Sequence, residues 1–260
     1  MGRCHAPARW HNRRKGRPMA LFIQPVPILQ DNYAWFLRDG ESGACGIVDP
    51  AEEGPIVAAI TAHGGRLDRI FLTHHHVDHV AATDALRTRY GAQVIGAAAD
   101  ARRLPRLDIA VGDGDRVMLG TAEAVVIDTP GHTIGHVSYF FPATPALFCG
   151  DTLFSMGCGR LFEGTARDMF DSLRKIAALP DETLICCGHE YTLSNARFAL
   201  HVDPANAAVA RRMREVEALR ARGRPTLPVT LAEERRTNPF LRAPDVATLA
   251  KLRQEKDAFR

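Results

Sequence analysis

Four short apolar runs in this chain end in the same way. Arg69-Ile70-Phe71-Leu72 leads into Thr73-His74-His75-His76-Val77-Asp78-His79, and Ala124 to Ile127 leads into Thr129-Pro130-Gly131-His132. Ala146 to Cys149 ends in Gly150-Asp151, and Thr183 to Cys187 ends in Gly188-His189. Each run reads as a buried strand, and each is followed by residue types that hold metal ions. Open α/β sheets place ligand sites at strand ends. The recurrence therefore predicts an α/β chain whose loops gather imidazoles and carboxylates at one edge.

In an extended segment residues two apart point the same way. His74 and His76 then converge on one ion while His75 faces away, and Asp78 and His79, at the turn into a helix, face a second. An isolated His-x-His is a weak signal; here the other strand ends supply partners. His74, His76, Asp78, His79, His132, Asp151 and His189 make seven candidate ligands, too many for one tetrahedral ion and suited to two ions sharing a bridge. Asp151, with two carboxylate oxygens and a sequence position between the two later histidines, is the natural bridge. Imidazole with carboxylate suits zinc, and also iron or manganese.

Bulk properties narrow the field. A chain of 260 residues with 46% hydrophobic content can bury a large core. Residues 1–18 hold six of the 33 basic residues and no acid, so the rest sets 33 − 6 = 27 bases against 30 acids, near −3. A nucleic-acid-binding body is not indicated. No run reaches transmembrane length, and six cysteines without Cys-x-x-Cys spacing fit a reduced cytoplasmic setting. The first 18 residues read as a disordered basic extension, with Met19 a plausible start.

Along the chain, strands are expected at 21–28, 34–37, 46–48, 93–96, 116–119 and 124–127, with Val137 to Phe141 pairing with Ala146 to Cys149. Helices are expected at 56–62, 78–89 and 166–179. His63-Gly64-Gly65 closes the first of these, with His63 engaging helix carbonyls. Asp113-Gly114-Asp115 reads as loop. Beyond Tyr191 come helices at 193–200, 205–221 and 246–259, separated by joints at Pro225, Pro228 and Pro239. Of the other polar residues, Asp49 at a strand end is placed to hydrogen-bond a ligand histidine. His136 supports its loop, and His5, His11 and His201 lie on the surface.

The set of seven resembles the binuclear site of the metallo-β-lactamase superfamily. Within it the chain is similar to the glyoxalase II, or hydroxyacylglutathione hydrolase, family. The matching stretches are Asp31-Asn32-Tyr33, Ile47-Val48-Asp49-Pro50, Gly150-Asp151-Thr152-Leu153-Phe154, Gly157-Cys158-Gly159-Arg160, Glu163-Gly164-Thr165 and Gly188-His189-Glu190-Tyr191-Thr192. Thr237-Asn238-Pro239-Phe240 and Arg253-Gln254-Glu255-Lys256-Asp257 add the helical tail. The metal motif identifies the superfamily; the tail identifies the branch.

The resemblance implies a four-layer αββα sandwich over 19–189 and a helical, substrate-binding subdomain over 190–260. It implies one ion on His74, His76 and His132, a second on Asp78, His79 and His189, and Asp151 bridging. The ions are two divalent metals, zinc first, with iron or manganese also accepted. Arg160, Tyr191, Arg253 and Lys256 are implied in glutathione binding. Arg253 and Lys256, three apart on a helix, share a face suited to a carboxylate. This chain has Arg160-Leu161-Phe162 where some members carry Lys-x-Tyr, which keeps the charge and loses a hydroxyl.

The implied activity is metal-dependent thioester hydrolysis, S-D-lactoylglutathione to glutathione and D-lactate, the second step of methylglyoxal detoxification. Two ions make hydroxide available near neutral pH; Asp78 is expected to orient that nucleophile and Asp151 to hold both ions. The chain is expected to act as a cytoplasmic monomer on a small-molecule glutathione thioester, with no nucleic-acid or membrane partner. The alternative is a glutathione persulfide dioxygenase of the same fold, which needs one ion and lacks the helical tail. An inactive metal-binding module is a third reading, opposed by the presence of all seven candidates.

Overall fold

The computed structural model describes residues 21–259; the expectations for 1–18, Met19, Cys4, His5 and His11 lie outside the described residues. Its first sheet is built by strict alternation of side chains. Strands β1 (Leu21–Ile28), β2 (Asn32–Asp39) and β3 (Cys45–Val48) run antiparallel. After helix α1 (Glu53–Ala62), β4 (Arg69–Phe71), β5 (Gln93–Ala97) and β6 (Ile109–Val111) continue the sheet in parallel, in the order β1 to β6. On β2, Tyr33, Trp35 and Leu37 enter one apolar cluster. Ala34 and Phe36 enter another, with Ile56 and Ile60 of α1. Period two thus gives β2 two buried faces, one toward helices and one toward a second sheet.

Helices α2 (Val77–Val80) and α3 (Thr83–Tyr90) connect β4 to β5. The single helix expected at 78–89 is therefore two. The Ala82 N–H donates to the carbonyl of Pro50 at 3.0 Å instead of to its own helix. That long-range bond breaks the helix and leaves Asp78 and His79 on a short turn of their own.

The second sheet begins with β7 (Arg116–Leu119), β8 (Ala122–Asp128), β9 (Val137–Phe141) and β10 (Ala146–Gly150), all antiparallel. A hairpin of β11 (Leu153–Phe154) and β12 (Gly157–Cys158) and helix α4 (Ala166–Ala177) precede β13 (Leu184–Cys187), which lies parallel to β10. The Thr165–Asp168 capping box starts α4. Residues from both sheets join one cluster with Met169, Leu173 and Ile176 of α4. The layers are therefore helix, sheet, sheet, helix. Polar tethers cross between the sheets, among them Trp35 Nε1, which donates to the Cys187 carbonyl at 3.0 Å, and Tyr139 OH, which donates to that of Leu72 at 2.9 Å. Both lie where strands give way to histidine-bearing loops.

The C-terminal part holds α5 (Thr192–Val202), α6 (Ala207–Arg220), β14 (Val229–Thr230), α7 (Leu231–Thr237) and α8 (Val246–Ala258). The proline-rich joint contains more structure than expected. β14 pairs with β13 as the edge of the second sheet, and the Thr230 side chain caps α7 by accepting from Glu233 N. Prolines at an edge strand cost no ladder bond, so the joint can add to the sheet. β6, where no strand is expected, also completes a sheet edge. The His63 ring stacks on Phe36 at 4.8 Å and meets Gln24 Oε1 at 2.8 Å; its backbone N–H takes the Ile60 carbonyl. The five described cysteines are buried and free. Among the described residues no helix is long and apolar enough to cross a membrane.

Candidate metal centre and adjoining cleft

The geometry of the centre starts one strand away, at Asp49. Its φ of 52° is a left-handed conformation that Asp tolerates better than most side chains. It turns the carboxylate onto the β4 exit. Oδ1 accepts the Thr73 N–H at 2.8 Å, while Oδ2 accepts the Thr73 hydroxyl at 2.7 Å and lies 3.1 Å from His79 Nδ1. Thr73 has then used its only proton, so its oxygen accepts from His74 Nδ1, 3.0 Å away. That assigns the His74 tautomer from the network and leaves Nε2 as a lone pair.

The same logic sets the other rings. His132 Nδ1 lies 2.8 Å from the carbonyl of Arg160, which can only accept, so Nε2 faces inward unprotonated. His79 and His189 turn Nδ1 to Asp49 and Asp31, the latter at 2.9 Å, and present Nε2. Side chains of Asp31, Asp49 and Thr73 thus orient the ligand candidates, as such sites require.

Among the described residues three groupings of potential ligands result: His74, His76 and His132; Asp78, His79 and His189; and Asp49, His74 and His79. The third reuses rings from the others and depends on a carboxylate already occupied by Thr73 and His79. Asp151 lies between the first two. Its Oδ2 is 3.4 Å from both His132 Nε2 and His189 Nε2, and its Oδ1 is 3.4 Å from His79 Nε2. Two glycines permit this approach. A Cβ on Gly150, whose φ is 44°, would fall onto Thr73 Oγ1 and His136 Nε2. One on Gly188 would stand 2.6 Å from Asp151 Oδ1.

The two groups fit divalent ions for different reasons. In the first, His76 Nδ1 is 3.1 Å from both His74 Nε2 and His132 Nε2. A proton on His76 could satisfy only one of them, so at least one pair of lone pairs stands face to face. Ligands about 2.0–2.1 Å from a tetrahedral ion stand roughly 3.3 Å apart, close to this spacing. Burial pushes the pKa of all three rings down, assisted by the neighbouring imidazoles, so they are neutral, the form that binds metal.

The second group attracts positive charge. Burial opposes protonation of His189, yet Asp151, Asp78 and Asp31 raise its pKa to about 11. Burial likewise works against the Asp151 carboxylate, but His79 and His189 hold it well below the usual range. Asp151 Oδ1 is buried and has no hydrogen-bond partner. An anionic oxygen in that position calls for a cation.

His75 does face away from the cluster, 2.8 Å from Asp100 Oδ2. His136 supports the site: its Nε2 accepts the Asp151 N–H at 3.2 Å, and its ring stacks on His74 at 4.9 Å. His201 is exposed beside Glu255 at 3.3 Å. Local pattern reads Asp31-Asn32 only as a turn. Asn32 is buried and donates to Asp78 Oδ2 at 3.0 Å, so it orients that carboxylate. A polar pair beginning a strand next to the ligand-bearing ones is the signal that could have found it. Glu163 likewise reads only as motif; it accepts from Ile134 N at 2.9 Å and pairs with Arg103.

Beside the centre a cleft of about 460 Å³ is lined by Arg160, Leu161, Phe162, Ala166, Ala250, Arg253, Gln254 and Asp257. The four residues expected to bind substrate fall in different environments. Arg160 is exposed, with Asp257 at 3.5 Å. Tyr191 stacks on His189 at 4.6 Å with nearly parallel rings. Arg253 is buried: it donates to the Cys158 carbonyl and to Asp257, each at 2.8 Å, and its Nε has no partner. Lys256 is turned to Ser194 Oγ at 2.9 Å and lies over the Phe198 and Phe259 rings. Helical spacing puts both basic residues on the inner side of α8, but only Arg253 borders the cleft.

Comparison with known proteins follows the same division. Residues 29–189 match the model of the metallo-beta-lactamase superfamily, and residues 190–259 match that of the hydroxyacylglutathione hydrolase C-terminus. The hydroxyacylglutathione hydrolase of Acidiphilium cryptum is 56% identical over 237 residues, covering 91% of this chain and 96% of the relative. Among solved structures, ETHE1 from Myxococcus xanthus is 26% identical with a TM-score of 0.68 over 90% of each chain. TTHA1623, solved in a di-iron-bound form, is also 26% identical, with a TM-score of 0.59 over 84% of this chain and 99% of the other.

Proposed function

The chain belongs to the hydroxyacylglutathione hydrolase family of the metallo-beta-lactamase superfamily, and from that premise we infer that it hydrolyses the thioester of S-D-lactoylglutathione to glutathione and D-lactate. The observation that carries the reading is the family match across the whole C-terminal helical part, together with Asp151 held between two ligand groups. The persulfide dioxygenase alternative is not better supported.

We assign His74, His76 and His132 to one divalent ion and Asp78, His79 and His189 to the other; Asp151, 3.4 Å from histidines of both groups, would serve both. Zinc is the first choice for the donor set; iron and manganese also suit it. Such an ion pair supplies Lewis acidity and a water nucleophile at neutral pH.

The chain's own groups do the rest. Imidazoles already oriented by Thr73, Asp49, Asp31 and the Arg160 carbonyl need little reorganisation during the reaction. Asp78, held by Asn32, offers a carboxylate oxygen to orient the attacking water. Arg160 at the cleft mouth attracts the anionic glutathione. Arg253 shapes the cleft wall through Cys158 and Asp257, and Tyr191 covers His189. The departing thiolate, from a thiol of pKa about 8.5, needs little assistance. On this reading residues 190–260 form the substrate-binding part and 19–189 the metal-binding part.

The test is loss of thioester absorbance from S-D-lactoylglutathione, with and without a strong chelator. Rapid turnover abolished by chelator and restored by metal is expected. Protein that holds two ions and leaves the thioester intact sinks the assignment.

A further inference from the structure

Of the five histidines among the candidate ligands, four have a hydrogen-bond partner outside the cluster. Thr73 serves His74, Asp49 serves His79, the Arg160 carbonyl serves His132 and Asp31 serves His189. The His76 ring has no such partner among the described residues; its Nδ1 meets only His74 and His132. Metal-binding imidazoles are ordinarily oriented by a partner of this kind, so the orientation of His76 has to come from packing. Two rings outside the ligand set pack on it, His75 at 4.9 Å and Phe162 at 5.9 Å between centroids. One charged network reaches both.

That network starts at the exit of β5. β5 lies parallel to β4, so the two strands end side by side. β4 runs into His74 to His76, while β5 runs into a single 3-10 turn, Ala98–Asp100. Four strand ends supply candidate ligands; this fifth supplies an acid that faces the loop instead of the cluster. The Asp100 side chain is 1% exposed, with Oδ2 2.8 Å from His75 Nδ1, and its Oδ1 accepts from Arg103 Nε. Arg103 continues to Glu163 Oε2 at 3.1 Å, next to Phe162 in the chain, and Glu163 takes the Ile134 N–H from the His132 loop. A Cβ on Gly135 would stand 2.5 Å from that of Asp100, so the His132 loop also packs directly against Asp100.

Burying a salt bridge costs desolvation that offsets most of its attraction, so added stability does not explain this one. Its place between two ligand-bearing loops points to geometry. We propose that Asp100 is a positioning residue for the first ion: through His75, and through Arg103 to Glu163, it holds the two rings that set His76 against His74 and His132. The proposal rests on the ion assignment above and adds to it the support of the ligand ring that lacks a direct partner.

The experiment titrates the zinc-loaded full chain with a chelator and follows release of the two ions in wild type, Asp100→Asn, His75→Asn, the double variant and the control Asp108→Asn. Thr73→Val, which strips His74 of its partner, marks the step that belongs to the first group. Asp108 is likewise a carboxylate paired with an arginine, Arg87 at 2.6 Å, and among the described residues its hydrogen bonds and ion pairs reach no ligand loop. Asparagine keeps the shape of aspartate, so thermal melting should report native folding. Asp100→Asn is expected to weaken the first-group step roughly tenfold and leave the other step in place. His75→Asn should weaken the same step, and the double variant should lose far less than the product of the two, because both act on one ring. With cobalt in place of zinc, the visible bands that report ligand geometry should change in Asp100→Asn and match wild type in Asp108→Asn. An unmoved first step, equal movement of both steps, multiplicative losses or the same change in Asp108→Asn overturns the positioning role. If Asp100→Asn does not fold, His75→Asn decides, since it must move the first step alone. A wild type that holds fewer than two ions overturns the ion assignment, and the proposal with it. One that holds two ions and leaves S-D-lactoylglutathione intact overturns the hydrolase reading alone, because the titration still decides the role of Asp100.

Discussion

The two halves of the histidine cluster are built from similar parts and differ in charge. His74, His76 and His132 contain no acid, are pushed toward the neutral form by burial, and are held by a hydroxyl and a backbone carbonyl. Asp78, His79 and His189 include one carboxylate and rest on two more, Asp49 and Asp31. The first half offers geometry with little charge; the second offers charge. An ion in the second half should therefore be favoured by electrostatics and one in the first by preformed lone pairs. Asp151 is what the halves share.

Removing the shared group is the most severe way to break the comparison. Asp151→Ala is expected to release both ions and lower kcat/KM by on the order of 10³-fold, the scale of several kcal/mol of lost metal assistance. Metal analysis beside the thioester assay checks it, and retention of both ions with full activity refutes the shared role.

Thr73→Val sharpens the comparison from the first half. The substitution is nearly isosteric but leaves His74 Nδ1 without its acceptor. Affinity at the first site should drop roughly 10- to 100-fold, seen as an earlier step in stepwise chelator titration. Asp31→Asn probes the second half, where the more exposed Asp31 holds only His189. About a tenfold loss, confined to the second step, is expected. Equal loss of both ions in either variant would show that the halves do not act separately.

The smallest expected effect concerns the clamp on the His132 loop. The hydrogen bond from Arg103, with that from Ile134 N, lowers the Glu163 pKa to about 2 from an ordinary 4.5. A depressed carboxyl contributes its stability above the ordinary value and loses it as pH falls through the folded one. Because Arg103 is partly exposed, screening reduces the contribution to on the order of 1 kcal/mol. Unfolding free energies of wild type and Glu163→Gln should therefore differ most above about pH 5 and converge as pH approaches 2. A gap that stays constant over that window would remove Glu163 from the ionic clamp.

Much of the site is legible in the linear chain because strand ends are local features. Period-two spacing turns His75 out of the cluster, toward Asp100, while His74 and His76 converge. Strand–loop junctions mark the other ligand candidates. The residues that orient them are harder to read: Asn32 and Asp31 act through a neighbouring strand, and the Arg160 carbonyl has no side-chain signature. Helix 78–89 reads as continuous because its break is set by Pro50, a carbonyl about thirty residues earlier in the chain. The joint around Pro225 and Pro228 reads as linker because edge-strand pairing with β13 leaves no local pattern. Arg253 and Lys256 look alike at helical spacing. Packing separates them, sending one to Cys158 and Asp257 at the cleft and the other to Ser194.

The sequence by itself determined the α/β class, the strand-end positions of the histidines and acids, and through its motifs the family. Those depend on short-range periodicity and on residue chemistry, which the linear chain carries whole. Only the tertiary structure decided which nitrogen of each ring faces inward, which Asp151 oxygen meets which histidine, and which basic side chains border the cleft. Each of these depends on partners far away in sequence, brought within hydrogen-bonding distance only when the two sheets pack.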